Sequence, residues 1–379
     1  MRVLITGGAG FIGSSLCISL LKDGHDITVL DNLSEQVHGE NPDLNSSLYL
    51  KIKGKVNFIK GSVTDVGVWA EAIKGQEAII HMASETGTGQ SMYELHKYVE
   101  VNIGGTAKML EYLEKNSHSV RKILVASSRA LYGEGRYINA NGQFIYPPAR
   151  KLTDLKKGIY DLVDETGKLL SLTSTDESSL VHPTSVYGIT KQAQEQLVMT
   201  VSPSAGIIPV ALRYQNVFGP GQSLANPYTG ILSIFSTRIL HNREILIFED
   251  GNESRDFVYI DDVVSATHKA LISESADGQI FGIGSGIPTS VIKAAKTLME
   301  KLNIEVGMRV TGEFRVGDIR HNYADLNKAK NILGYQPQFN FEEGISEFVE
   351  WVKRQPIQQD NYDKSIGELR NRGLFKCTE

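Results

Sequence analysis

Tyr187 and Lys191 stand four residues apart in the run Tyr187-Gly188-Ile189-Thr190-Lys191. On a helix this spacing puts a phenol and an ammonium on one face. A phenol with its ordinary pKa of about 10 is a poor base at neutral pH, and a nearby cation is what lowers that value. The pair therefore suits general acid–base work on a hydroxyl or a carbonyl, with Tyr187 moving the proton and Lys191 supplying the charge. On its own the spacing is common surface decoration. It gains weight from Ser127-Ser128, which closes the apolar run 121–128. A hydroxyl at the end of a parallel strand can hydrogen-bond the same reacting oxygen, so Ser128, Tyr187 and Lys191 form the candidate catalytic set.

A second constellation occupies the N-terminus. Residues 2–6 (RVLIT) are a short β-branched apolar run, as a buried parallel strand requires. Gly7, Gly10 and Gly13 punctuate the turn after it. Residues 14–23 carry helical spacing closed by Gly24, and 27–30 form a second strand with Asp31 at its end. Strand, glycine turn, helix, strand and acid in that order is a dinucleotide-binding layout. Gly7 permits the tight turn, Gly10 lets the backbone approach a pyrophosphate, and Gly13 lets the helix pack close to the strand. The helix N-terminus offers free N–H groups and a positive dipole end to the phosphates. Asp31, eighteen positions after Gly13, is in range of an adenosine ribose diol. Its carboxylate would repel a 2′-phosphate, which favours NAD over NADP.

The elements that must position these groups follow in order. Residues 32–55 read as a polar loop and 55–60 as a third strand. Asp65 is placed to cap a helix running to Lys74. Residues 77–83 (EAIIHMA) read as a fourth strand, with a small-residue loop, 84–91, at its carboxyl end. A long helix is expected over 95–116, a fifth strand over 121–128, a helix over 183–200 and a sixth strand over 208–214. Residues 133–182 are irregular and read as an insertion over the active-site face, with local structure of its own or a lid role. Strands and helices alternating at this rhythm mean an α/β fold, a doubly wound parallel sheet with ligands at the strand carboxyl ends. The chain divides into a dinucleotide-binding domain, 1–214, carrying the insertion at about 134–182, and a smaller substrate-binding α/β lobe, 215–379, with some chain crossing back to the first.

The composition excludes several classes. With 379 residues, 22% charged and a net charge of −5, the chain has neither a basic block for nucleic acid nor a cationic amphipathic helix for a membrane surface. Two cysteines, Cys17 and Cys377, make a disulfide framework or a cysteine-based metal site implausible, and no metal is expected. No stretch approaches the length of a membrane span, and the glycine-broken N-terminus does not read as a secretory signal, so a cytoplasmic protein is expected. His81, at the end of a buried strand, reads as a structural histidine.

Taken together, Gly7/Gly10/Gly13, Asp31, Ser128, Tyr187 and Lys191 resemble the extended short-chain dehydrogenase/reductase enzymes that act on nucleotide sugars. Three further stretches extend the resemblance over nearly the whole chain: 213–221 (RYQNVFGPG), 255–262 (RDFVYIDD) and 315–318 (RVGD). The likeness implies a bound NAD held by the glycine turn with Phe11 and Ile12, by Asp31 with Asn32, and by Met82, Ala83 and Ser84. Ser62 and Val63 stand where the family often has an Asp for the adenine amino group. It implies a nucleotide-sugar substrate whose diphosphate is gripped by Arg255 and Arg315. Asn216, Thr86, Ser91, Ser128 and Arg129 would lie along the sugar.

The sugar 4,6-dehydratases of this family carry an Asp-Glu pair just after the catalytic Ser or Thr. Here that place holds Arg129-Ala130, so dehydration lacks its acid and base. The epimerases need only the Ser-Tyr-Lys set and NAD. The combination of 85–91, 128–130 and 226–235 is similar to the branch that works on dTDP-activated 6-deoxyhexoses such as dTDP-L-rhamnose. The likeness implies homodimers joined through the helices at 95–116 and 183–200. Two other readings stay open: an NAD(P)H-dependent reductase of 4-keto-6-deoxy sugars, and a catalytically silent dinucleotide-sensing protein.

Overall fold

The computed structural model describes residues 1–228 and 230–378. Seven parallel strands form the central sheet: β1 (Arg2–Thr6), β2 (Asp26–Asp31), β3 (Asn57–Lys60), β4 (Ala78–His81), β5 (Lys122–Ser128), β6 (Ile208–Tyr214) and β7 (Ile280–Ile283). Their spatial order is β7-β6-β5-β4-β1-β2-β3. Both faces of the sheet are covered, which is why the strands read as unbroken apolar runs rather than as alternating ones. Along β1, Val3 and Ile5 point into one core with Ile27, Val29 and Ile80, while Leu4 points into the other with Leu30, Ile79 and Ile123. The strand order reverses between β1 and β4, and a crevice opens at their carboxyl ends, where ligands of such sheets bind.

Three helices matter most for that crevice. α1 (Phe11–Lys22) starts directly on Gly10, three residues earlier than the sequence pattern suggests. The helix expected over 95–116 is one helical run ending in α2 (Gly105–Lys115), but with a π-type turn at Val99–Gly104. This wide turn aims the buried Asn102 inward, where it donates to Glu85 O at 3.0 Å and to Thr190 Oγ1 at 2.9 Å and accepts from Glu85 N at 2.7 Å. α3 (Val186–Val201) begins at a Ser185 cap, whose Oγ accepts from Gly188 N at 3.1 Å, so the expected first turn, 183–185, lies outside it.

Several local expectations are corrected. The polar stretch 32–55 holds three short helices, Glu35–His38, Pro42–Asn45 and Ser47–Ile52, too short to show periodicity. Asp65 accepts from Gly67 N in a tight turn and the helix is only Val68–Ala72, with Gly67 at its cap position. Residues 84–91 are not all loop, since Thr88–Ser91 forms a helical turn.

The insertion has structure of its own, a small sheet of Tyr137–Ile138, Phe144–Ile145 and Ser171–Leu172 with a helix at Leu152–Lys156. It is tied to the C-terminal half by a buried ion pair of Arg150 with Glu249 at 2.8 Å, and by buried Arg320 with the exposed Asp161 at 2.8 Å. Beyond β6, a four-stranded sheet is built on Ser254–Tyr259, and β7 returns to the edge of the main sheet beside β6. Among the described residues no helix is long and apolar enough to cross a membrane.

Candidate active site

Two cavities, of about 350 and 360 Å³, meet at the carboxyl ends of β1, β4 and β5. The first runs along the glycine turn. Gly7 has φ +69°, and a Cβ on it would lie 2.9 Å from Ala83 N. A Cβ on Gly13 would lie 2.4 Å from Gly7 O, so the turn and α1 meet backbone to backbone. Gly10 and Gly13 line the same cavity with Phe11, Ile12, Asp31 and Asn32. Farther along, Ser62, Val63, Met82, Ala83 and Ser84 complete its wall. Asp31 accepts from Ala9 N at 3.0 Å and Leu33 N at 2.9 Å, which fixes its carboxyl at the end of β2. Burial pushes that carboxyl's pKa upward, opposed by the Leu33 N–H, by His38 and by the Ala9 N–H. A glycine cradle, an open helix N-terminus and an anchored carboxylate fit an NAD molecule.

The second cavity is lined by Thr86, Arg129, Asn216, Arg255 and Arg315, with Asp318 beside them. Arg255 is held rigidly: its guanidinium donates to Ser254 O (2.8 Å), Arg320 O (3.1 Å), Ile319 O (2.8 Å) and Asp318 Oδ1 (3.1 Å). Arg315 sits in a two-residue strand paired with Phe375, and its guanidinium lies 5.9 Å from the Phe248 ring. Burial opposes ionisation of Asp318, yet Arg255, Arg315, Arg129 and Arg150 hold its carboxyl down to about 2. Arg315 Nε and Asn216 Oδ1 are buried without a partner among the described residues, polar atoms left over by the protein's own contacts.

Ser128 and Tyr187 line both cavities. The Ser128 hydroxyl favours the ionised form of the Tyr187 phenol. Ser128 Oγ also accepts from Ala130 N at 3.1 Å, which leaves its proton free to point at the phenol oxygen. Burial raises the Tyr187 pKa, while Ser128 and Arg129 pull it down. Lys191 lines only the first cavity, where its ammonium donates to Gln194 Oε1. His81 is buried between Thr6 Oγ1 at 2.8 Å and Thr106 Oγ1 at 2.9 Å, and burial drops its pKa to about 3, so it is a neutral structural group.

Residues 3–151 and 159–284 match the NAD dependent epimerase/dehydratase family. The chain belongs to that family. It is similar to a dTDP-L-rhamnose 4-epimerase of Burkholderia thailandensis, 38% identical over 93% of this chain and 95% of the relative. The solved UDP-glucose 4-epimerase of Thermotoga maritima with UDP-glucose superposes with a TM-score of 0.74 at 29% identity, covering 93% of this chain and 99% of that one. The UDP-glucose 4-epimerase of Thermus thermophilus, solved with NAD, gives 0.73 at 25% identity, covering 94% and 100%. The enzyme is NAD-dependent.

Of the site residues expected from the family pattern, one is not brought to either cavity. Ser91 is fully buried beneath the wall, where its hydroxyl donates to Thr88 O at 2.7 Å and accepts from Tyr187 N at 3.0 Å. It holds the start of α3 instead of facing a ligand. Sequence reasoning missed Gln194, which donates to Thr106 Oγ1 at 3.1 Å and fixes Lys191, and Asn102, which pins the loop at Glu85. Gln194 lies three residues after Lys191, a spacing that could have flagged it. It also missed Glu195, which takes Ser127 Oγ at 2.5 Å and Arg213 Nη2 at 2.6 Å and so binds α3 to β5 and β6.

Proposed function

We propose that the substrate of this NAD-dependent nucleotide-sugar 4-epimerase is dTDP-L-rhamnose, interconverted with dTDP-6-deoxy-L-talose. The observation that carries the reading is the Ser128–Tyr187 pair in the wall shared by the two cavities. A sugar in one and a nicotinamide in the other would meet there. The similarity to the Burkholderia thailandensis enzyme supports the choice of sugar nucleotide.

On this reading Asp31 accepts from the adenosine ribose, with Asn32 beside it. The α1 N-terminus, with Phe11 and Ile12, faces the pyrophosphate, and Lys191 reaches the nicotinamide ribose. Bound there, NAD supplies reversible uptake of a hydride from C4. Arg255 and Arg315 hold the sugar nucleotide's diphosphate, and Thr86, Asn216 and Arg129 lie along the hexose. Tyr187 takes the proton of the C4 hydroxyl as the hydride leaves that carbon, giving a 4-keto sugar. Ser128 keeps its hydrogen bond on the same oxygen. Tyr187 would give the proton back to the same oxygen once the 4-keto sugar, turned over in the cavity, is reduced on its opposite face. Net redox change is zero.

A cytoplasmic homodimer completes the proposal, with residues 1–214 binding the dinucleotide and 215–379 the sugar nucleotide. The helices expected to pair expose large apolar side chains, Leu95, Val99 and Ile189 among them. Light scattering at micromolar concentration should give twice the mass of one chain, and a monomeric mass would contradict the dimer.

The substrate is tested by incubating the purified chain, with no cofactor added, with dTDP-, UDP-, GDP- and CDP-activated hexoses and deoxyhexoses. Each mixture is resolved by anion exchange and NMR. Two C4 epimers from dTDP-L-rhamnose are expected. Turnover of UDP-glucose alone would move the substrate assignment. Conversion only when NAD(P)H and a 4-keto sugar are supplied would replace the epimerase with a reductase.

A further inference from the structure

We propose that the C-terminal segment 360–376 is part of the sugar-nucleotide site, where the Tyr362 hydroxyl donates to the nucleoside diphosphate half of the substrate. The inference rests on the second cavity holding the sugar nucleotide, as in the reading above. The segment lies well beyond residue 284, where the match to the family ends. It forms α4 (Tyr362–Asn371) and a two-residue strand, Phe375–Lys376. Tyr362, Ile366, Leu369 and Phe375 are buried together against Ile234, Leu246 and Phe248. Of these, Ile234, Leu246, Phe248 and Tyr362 line the second cavity, and none lines the first. Ser128 and Tyr187, where the sugar reacts, lie in the shared wall. This apolar group therefore meets the part of the substrate away from the reacting sugar.

Two polar groups without a protein partner converge on Phe248. The Arg315 guanidinium lies 5.9 Å from its ring, with Nε buried and unpaired among the described residues. The Tyr362 ring lies 6.4 Å from it and nearly parallel, at 16°. Tyr362 is only 6% exposed, yet among the described residues nothing hydrogen-bonds its hydroxyl. A buried tyrosine normally pairs its hydroxyl, so a free one in a cavity wall, beside an unpaired arginine donor, suits a ligand's acceptor oxygen. The ring is held in place, since the Arg238 guanidinium covers it at 4.8 Å and pairs with Asp363 of α4 at 2.9 Å. A nucleoside diphosphate supplies acceptor oxygens on its phosphates and base, and a flat base suits an aromatic wall. The segment also shapes the rest of the cavity. Phe375 pairs with Arg315, and Arg370 holds Glu313 just before that strand. Glu368 accepts from the Tyr228 hydroxyl and from the Tyr93 hydroxyl at 3.4 Å. Asn361 donates to Ala225 O at 3.4 Å. α4 thus ties down the loop whose Pro227 and Tyr228 line the cavity, and Glu368 is a positioning residue acting through Tyr228.

Calorimetry of dTDP and UDP binding to the NAD-retaining protein tests this without any turnover. Whichever nucleotide the wild type binds more tightly serves for the variants. Tyr362→Phe removes only the hydroxyl, which no protein group uses, so the thermal midpoint of the unliganded chain should not move. Nucleotide binding should weaken by about tenfold, the size of one lost hydrogen bond to a charged acceptor. KM for the sugar nucleotide should rise by the same factor with kcat held within about twofold, as for a contact made equally in ground and transition states. Glu368→Ala, which frees Tyr228, should weaken binding in the same direction. Glu368→Gln, which keeps an acceptor for that hydroxyl, should restore it. Unchanged nucleotide affinity in Tyr362→Phe overturns the proposal. So does a loss confined to kcat, or a lower thermal midpoint with affinity kept, which would make the hydroxyl structural. A wild-type chain that binds neither nucleotide overturns it as well. A chain that binds dTDP but converts nothing in the sugar panel defeats the epimerase reading and leaves this measurement intact.

Discussion

Replacing Tyr187 with Phe is expected to lower kcat for C4 epimerisation by about a thousandfold or more while the protein keeps its fold and its NAD. The change deletes one oxygen and leaves the ring. That oxygen opens onto the wall shared by the two cavities beside Ser128, so little else is disturbed. Without it, the proton on the C4 hydroxyl has no acceptor at the shared wall of the cavities. His81, the nearest alternative by chemistry, is neutral and enclosed by Thr6 and Thr106. The loss corresponds to roughly 4 kcal/mol of transition-state stabilisation. It is read by NMR of the epimer mixture, with NAD content and thermal midpoint measured in parallel. A loss smaller than about tenfold would assign the proton to another group. A silent dinucleotide-binding protein would show no change at all.

Gly13→Val should empty the dinucleotide site. The Cβ alone would stand 2.4 Å from Gly7 O and 2.7 Å from Gly8 Cα, both backbone atoms of the turn under α1. Backbone cannot swing aside as a flexible side chain can, so α1 and the turn must separate. We expect a cost of about 3 kcal/mol, the upper part of the range for forced overpacking. The separation also moves the helix N-terminus away from the place where a pyrophosphate would sit. NAD released from acid-denatured protein should fall below detection, while circular dichroism still reports the α/β fold. Wild-type NAD content in a folded variant would remove the glycine turn from the cofactor site. The two variants separate the functions: Tyr187→Phe retains NAD without chemistry, and Gly13→Val loses both.

What the sequence by itself determined is local. Parallel strands buried on both faces read as unbroken apolar runs, so β1, β4, β5 and β6 were legible. A turn with backbone pressed on backbone admits only glycine, so Gly7, Gly10 and Gly13 marked the candidate cofactor site with Asp31 at the end of β2. Tyr187 and Lys191 were visible because the period of one helix relates them. The π turn at Val99–Gly104 was not, because its wide pitch matters only through Asn102 reaching Glu85 and Thr190.

Only the tertiary structure decided the rest. It turned Ser91 into a support for α3, and it opened Lys191 into one cavity and Arg129 into the other, with Tyr187 in the wall of both. It also set Arg315 at the cavity through a strand pairing with Phe375 near the chain's end. These outcomes depend on partners tens to hundreds of positions apart. Spacing within a helix or strand carries the direction of a side chain, whereas the charge it meets is set by which distant segment packs against it.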